Sequence, residues 1–207
     1  MSVKVIGISQ RLLENTSYFE IRETLSTDWG EFFKGYLEGF LPLPLSYAIP
    51  FSSYVESGIL SGIILSGGND LNSLNPNSLS KKRDLYENAI ITYCLKEKIP
   101  LLGVCRGAQK IAEYFGSECK KCEGHIQKHL IKDKSKREFL VNSYHNYSIM
   151  RLGEDLEPIH YAEDGSVESF LHKNAQIYGV MWHIERESGM EETQLFEEWR
   201  KSLRSRD

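Results

Sequence analysis

Three side chains, distant along the chain, have the types that thiol chemistry requires. Cys105 stands between Gly103 and Gly107, after the apolar run Pro100–Val104 and before a segment of helical period. Small neighbours allow a sharp strand-to-helix turn, the nucleophile elbow, which projects a side chain from the edge of a sheet. A thiol at a helix N-terminus also meets unpaired backbone N–H groups and the positive end of the helix dipole, which favour the thiolate. The plainer reading of this cysteine is a buried structural residue in an ordinary βα turn. His183 and Glu185 sit in Trp182-His-Ile-Glu at the end of an apolar run. In extended chain residues i and i+2 share a face, so the pair has the layout of a base and the carboxylate that orients it. A nucleophilic cysteine needs such a base. A lone His-x-Glu is weak, and gains weight from its place at a strand end.

Two further stretches carry chemical possibilities. Gly67-Gly68, after the apolar run Gly62–Ser66, brings backbone N–H groups to the carboxyl end of a strand, where open α/β sheets bind ligands. It reads equally as a source of an oxyanion-hole donor and as a tight turn. Cys119-x-x-Cys122-x-x-His125-x-x-x-His129 offers four metal-ligand types. With no loop between the ligand pairs, the four do not readily close a tetrahedron, and a solvated basic loop is the alternative.

The elements around these residues follow from periodicity. Val3–Ile8 and Gly62–Ser66 read as buried strands, Arg11–Asp28 as a long loop, and Leu41-Pro-Leu-Pro-Leu45 as an edge or irregular strand. Trp29–Phe40 is expected as a helix burying Phe32, Phe33, Tyr36 and Phe40, and Ser52–Ser57 as a short one. Asn72–Ser80 is loop, and Lys81–Lys98 a helix with Leu85, Ala89, Ile90, Tyr93 and Cys94 inward. After the elbow, Ala108, Ile111, Ala112 and Phe115 mark one helix face, ended by Gly116. Strands are expected at Glu138–Asn142, Ile159–Ala162, Val167–Leu171 and Ile177–Met181, and Leu195, Phe196, Trp199 and Leu203 mark a C-terminal amphipathic helix.

Composition bounds the rest. The 207 residues, 41% hydrophobic and 26% charged, suit one globular domain over 1–207 with a sizeable core. A net charge of −4 gives no global pull toward nucleic acid or an anionic membrane. The N-terminus shows no signal-peptide pattern and no apolar run approaches a bilayer span, so the four cysteines read as reduced thiols of a cytoplasmic protein.

Taken together, GVCRGAQ at Gly103–Gln109, SGGND at Ser66–Asp70, VNSYHNYSI at Val141–Ile149, AEDGSVES at Ala162–Ser169 and GVMWHIE at Gly179–Glu185 resemble the class I glutamine amidotransferase superfamily. Within it they are similar to the stand-alone γ-glutamyl hydrolase branch, which includes γ-glutamyl-γ-aminobutyrate hydrolases; Arg83-Asp84 also fits that branch. Ile184 and Met181 depart from the pattern, standing where proline and glutamine are usual.

The resemblance implies an α/β three-layer sandwich with a mostly parallel, flavodoxin-like central sheet. It implies that Cys105 attacks a γ-glutamyl carbonyl, that His183 moves the proton and that Glu185 orients it. It places the oxyanion hole at the backbone N–H groups of Gly68 and Arg106, each such donor contributing about 3–4 kcal/mol to transition-state stabilisation. Gln109 and the segment Tyr144, His145, Asn146 and Tyr147 would hold the glutamate end. The reaction calls for no metal or organic cofactor and no obligate protein partner, its substrate being a small γ-glutamyl compound.

The leaving group rests on charge instead. Cys119–Arg137 holds seven Lys/Arg against two acids, and His125, Lys128 and His129 are candidates to bind an anionic, nucleotide-bearing leaving group. A γ-glutamyl amine, and glutamine in a glutaminase subunit serving a synthetase, are the alternatives.

Overall fold

The computed structural model describes residues 4–203. In chain order the elements are β1 (Lys4–Ile8), β2 (Arg11–Glu14), β3 (Ile21–Thr24), α1 (Asp28–Tyr36), β4 (Phe40–Pro44), α2 (Phe51–Glu56), β5 (Leu60–Leu65), α3 (Ser78–Glu97) and β6 (Leu101–Val104). They continue with α4 (Arg106–Tyr114), β7 (Glu118–Lys121), β8 (His129–Asp133), β9 (Glu138–Val141), β10 (Tyr147–Arg151), β11 (Leu156–Ala162), β12 (Val167–His172), β13 (Ile177–Val180) and α5 (Gln194–Ser202).

One mixed sheet runs β4-β1-β5-β6-β13-β12-β11-β8-β9, with β10 joining β12 to β7. The stretch from β4 to β13 is parallel and the remainder antiparallel. β5 and β6 are buried throughout because both faces are covered, which is why they read as unbroken apolar runs. Ile63, Leu65 and Leu101 face Ile90, Ile91, Ala108 and Ile111 of α3 and α4. Ile64, Leu102 and Val104 face Trp29, Phe32, Phe196 and Trp199 of α1 and α5. The expected α/β sandwich is thus present. Among the described residues no helix is long and apolar enough to cross a membrane.

Several expected elements differ. Val3, the first residue of the expected first strand, lies outside the described residues. Arg11–Asp28 is not a loop: β2 and β3 form a separate antiparallel hairpin. α1 stops at Tyr36, and Phe40 begins edge strand β4. The helix expected at Lys81–Lys98 starts earlier, at Ser78, where Asn77 caps it by accepting from the Ser80 N–H at 2.8 Å. Its buried stripe is Ser80, Arg83, Asp84, Glu87, Ile90, Ile91 and Cys94, and Leu85 is 63% exposed. Ile90 and Cys94 are buried as expected, and hydropathy misplaced only the first half of the face, which buries charges. The basic segment Cys119–Arg137 is not wholly loop: it supplies most of β7 and all of β8.

Candidate active site

The elbow is built as its glycines suggest. Cys105 has φ 52° and ψ −110°, between β6 and the first turn of α4. That conformation costs a non-glycine residue roughly 1–3 kcal/mol, so its surroundings must enforce it. A side chain at Gly103 would lie 2.6 Å from the Gly107 carbonyl carbon, and one at Gly107 would overlap the Leu65 carbonyl. The Cys105 N–H donates to the Val180 carbonyl at 2.8 Å, tying the elbow to the strand that delivers His183.

His183 is buried and its Nδ1 donates to Glu185 Oε1 at 2.6 Å. Asn142 clamps this segment. Its Oδ1 accepts from the His183 N–H, and its Nδ2 donates to the carbonyls of His183 and Glu187, each at 2.9 Å. Nothing in the residue types marked Asn142 for this role, although it lies in the motif containing Tyr144–Tyr147. Gly67 completes the contact from the other side. A Cβ there would lie 2.8 Å from His183 Cε1 and 3.5 Å from Cys105 Cβ, so only glycine lets the ring and the elbow meet. Burial works against a charge on His183, but the neighbouring Cys105 sulfur and then Glu185 push its pKa up to about 10. The ring therefore holds a proton between sulfur and carboxylate.

A buried ion network underlies the Gly67-Gly68 turn. The Arg83 guanidinium, fully buried, donates to the carbonyls of Ser66, Gly67 and Gly68 at 2.6, 3.0 and 2.8 Å. It also pairs with Glu87 at 2.9 Å, and Glu87 accepts from Ser9 and from Arg106. Burial alone would raise the Glu87 carboxyl, and the guanidinium groups of Arg106 and Arg83 hold it below its usual range. Arg106 further pairs with Asp84, so its side chain serves this network, while its backbone N–H opens α4. Gly68 has φ +81°, and neither its N–H nor that of Arg106 donates to any described group. Both are the kind of free donor that an oxyanion hole requires.

Cys105 opens into a 270 Å³ pocket whose walls include Gly68, Asp70, Gln109, Tyr144, Asn146 and Tyr147. Gln109 Nε2 donates to the Tyr147 carbonyl at 2.8 Å, which leaves Oε1 as its free end. Tyr144 stands edge-on to His183, with ring centroids 5.6 Å apart, and Arg186 lies over its ring at 4.8 Å. Beyond His183 lies a second pocket of 330 Å³, lined by Arg11, Leu13, Ser26, Trp29, Glu185 and Arg186. Arg11 borders both pockets.

The basic segment is corrected by the structure. His125 and His129 do not reach Cys105; they flank the buried Glu168 and line a separate pocket. Lys128 is exposed and 3.6 Å from Glu187. Lys120, Lys132 and Arg137 pair with Glu118, Glu138 and Asp133. The reason is local: acids on neighbouring strand positions neutralise the run. His145 borders the Cys105 pocket, but its ring turns to Glu168 at 3.6 Å. The four-ligand Cys/His set does not assemble either. Cys119 packs against the core beside α4, while His125 meets His129 and Glu168 on one side and Cys122 and His145 on the other.

Comparison with known proteins gives the family and the fold. Residues 50–202 match the family model for glutamine amidotransferase class-I. A γ-glutamyl-CDP-amidate hydrolase from Campylobacter jejuni subsp. jejuni serotype O:2 is 54% identical over 195 residues, spanning 94% of this chain and 96% of that protein. A glutamine-hydrolysing GMP synthase subunit from Methanococcus aeolicus is 29% identical over 145 residues, 66% of this chain and 70% of the relative. The crystal structure of a glutamine amidotransferase from Thermotoga maritima aligns with a TM-score of 0.61 at 17% identity, covering 98% of this chain and 82% of that one.

Proposed function

This chain belongs to the class I glutamine amidotransferase family, and on that premise we propose that it is a cysteine-dependent hydrolase of γ-glutamyl amide-type bonds, acting on γ-glutamyl-CDP-amidate. The observation that carries the reading is His183, bonded to Glu185 at 2.6 Å and set against Cys105 behind Gly67, in a chain so similar to a hydrolase of that substrate.

Cys105 as thiolate adds to the γ-carbonyl carbon, and the carbonyl electron pair moves to oxygen. The Gly68 and Arg106 N–H groups receive that oxyanion. As the oxyanion collapses, the carbon–nitrogen bond breaks and His183 gives its proton to the departing nitrogen, leaving a γ-glutamyl thioester and cytidine diphosphoramidate. Water then loses a proton to His183 and attacks the thioester, releasing glutamate and restoring the thiolate–imidazolium pair. Gln109 Oε1 and the backbone of Tyr144, Asn146 and Tyr147 face the glutamate end in the Cys105 pocket. Arg11 and Arg186 replace the basic segment as the cations for a diphosphate, in the pocket beside His183. Residues 1–207 act as one catalytic domain without an obligate protein partner, and the chemistry is carried by side chains and backbone alone.

A second reading has one observation in its favour: the similarity to GMP synthase subunits supports a glutaminase that passes ammonia to a partner. The test is glutamate release from γ-glutamyl-CDP-amidate, a γ-glutamyl amine, a γ-glutamyl dipeptide and glutamine by the purified chain. Turnover of the nucleotide substrate far above the others is expected. Glutamine hydrolysis that appears only on adding a synthetase would favour the second reading.

A further inference from the structure

Glu168, in β12, is wholly buried, and neither carboxylate oxygen has a hydrogen-bond partner among the described residues. Three imidazoles surround it. His125 Nδ1 is 3.3 Å from Oε1, His129 Nε2 is 3.3 Å from Oε2, and His145 Nε2 is 3.6 Å from Oε1. All three nitrogens are buried and none makes a hydrogen bond of acceptable geometry among the described residues. A buried carboxylate in this state is destabilising by several kcal/mol unless a cation meets it.

Protons on the rings or a metal ion would both supply that charge, and the spacing separates them. Imidazolium–carboxylate hydrogen bonds close to about 2.7–2.9 Å. Ligand atoms bound at about 2.0–2.1 Å around a tetrahedral zinc ion stand roughly 3.3 Å apart. The His125 and His129 separations, each 3.3 Å to one oxygen of Glu168, lie at the second figure, and the His145 separation of 3.6 Å exceeds both. His125 adds an independent sign. Its Nε2 is 3.1 Å from Asp164 Oδ2, the outer carboxylate that commonly orients a metal-bound histidine. With the Nε2 proton given to Asp164, the Nδ1 lone pair faces a carboxylate oxygen, an arrangement that needs a cation between them. The 320 Å³ pocket lined by Glu123, Gly124, His129 and Asp164 gives an ion its path from solvent.

We propose that His125, His129 and Glu168 bind a divalent transition metal of the zinc class, with solvent from the adjoining pocket completing its coordination. Imidazole and carboxylate ligands suit such an ion. The site joins β8, β12 and the segment before β8, and His145 of the loop that walls the Cys105 pocket packs against it, its ring centroid 4.8 Å from that of His125. Its role is to hold that wall in place, and it does not depend on the reaction proposed above.

The test uses the full chain without a polyhistidine tag, stripped with chelator, confirmed as folded by circular dichroism and titrated with zinc chloride. About one zinc per chain should survive desalting, raise Tm, and be replaceable by cobalt with a tetrahedral absorption spectrum. Glu168→Gln and His129→Ala should each weaken zinc binding at least about tenfold, while Cys105→Ala and Cys119→Ser retain it. If Glu168→Gln does not fold, His129→Ala decides, since that side chain is at the pocket edge and 16% exposed. Folded wild-type protein that binds no zinc and shows no Tm change would overturn the site. So would zinc that survives both ligand variants but is lost in Cys105→Ala, which would place it at the active-site thiol.

Discussion

Arg83 holds Gly68 by its carbonyl oxygen: Nη1 donates to it at 2.8 Å from a fully buried guanidinium. The same guanidinium grips Ser66 and Gly67, so three successive peptide planes of the turn take their orientation from one side chain. The Gly68 N–H, assigned to the oxyanion hole, is therefore aimed by a residue outside the pocket that Cys105 opens.

Arg83→Lys keeps a charge for Glu87 but cannot make the planar set of donations. It is expected to lower kcat by about one to two orders of magnitude, within the range seen for loss of an oxyanion donor, with KM little changed. Arg83→Met would leave Glu87 short of a partner and should destabilise the protein by about 3 kcal/mol or more. Steady-state kinetics with urea unfolding check both. Equal activity in Arg83→Lys would remove the positioning role.

Gly67→Ala tests the close approach. The new Cβ falls 2.8 Å from His183 Cε1, so the ring must withdraw from Cys105. We expect at least a tenfold loss of kcat, a displacement of about 1 Å being enough for larger losses. The His183 titration should shift downward as its contact with sulfur weakens. Tm should change little.

The pH behaviour of His183 follows from its partners. Its ordinary value of 6.5 is raised to about 10, so its charge stabilises the fold fully below pH 6.5 and less as pH rises through 10. NMR should find the ring protonated at pH 8 in the native protein. In Cys105→Ala, where sulfur is absent, the titration should move well down and turnover should vanish while the fold persists. Changing Cys94, Cys119 or Cys122 singly should leave substantial activity. An unchanged His183 midpoint in Cys105→Ala would mean that Glu185 alone sets it.

Arg11 and Arg186 test the leaving-group site. Arg11→Gln and Arg186→Gln are each expected to raise KM for γ-glutamyl-CDP-amidate by about tenfold, since a charge-assisted contact contributes roughly 1.5–3 kcal/mol. A neutral γ-glutamyl amide should respond far less, and added salt should weaken only the charged substrate. Lys128→Gln, on an exposed side chain 3.6 Å from Glu187, should affect neither. Equal effects on both substrates would place the diphosphate elsewhere.

What the sequence determined alone is the chemistry that local geometry enforces. A strand-to-helix turn between glycines presents Cys105, and the two-residue period of extended chain puts Glu185 beside His183. Apolar runs buried on both faces located β5, β6 and β13 for the same reason. Tertiary structure decided where charge goes, because an ion's partner is a property of space and of burial. Glu87 draws Arg83 and Arg106 into one network although neither pattern nor hydropathy favours a charged inner face on α3. Glu168, remote in sequence and wholly buried, gathers His125 and His129 from a run that reads as a solvated basic loop, and His145 from a separate loop. Arg11 reaches the active site because β2 and β3 pair as a hairpin, a long-range choice that a polar stretch without clean period does not encode.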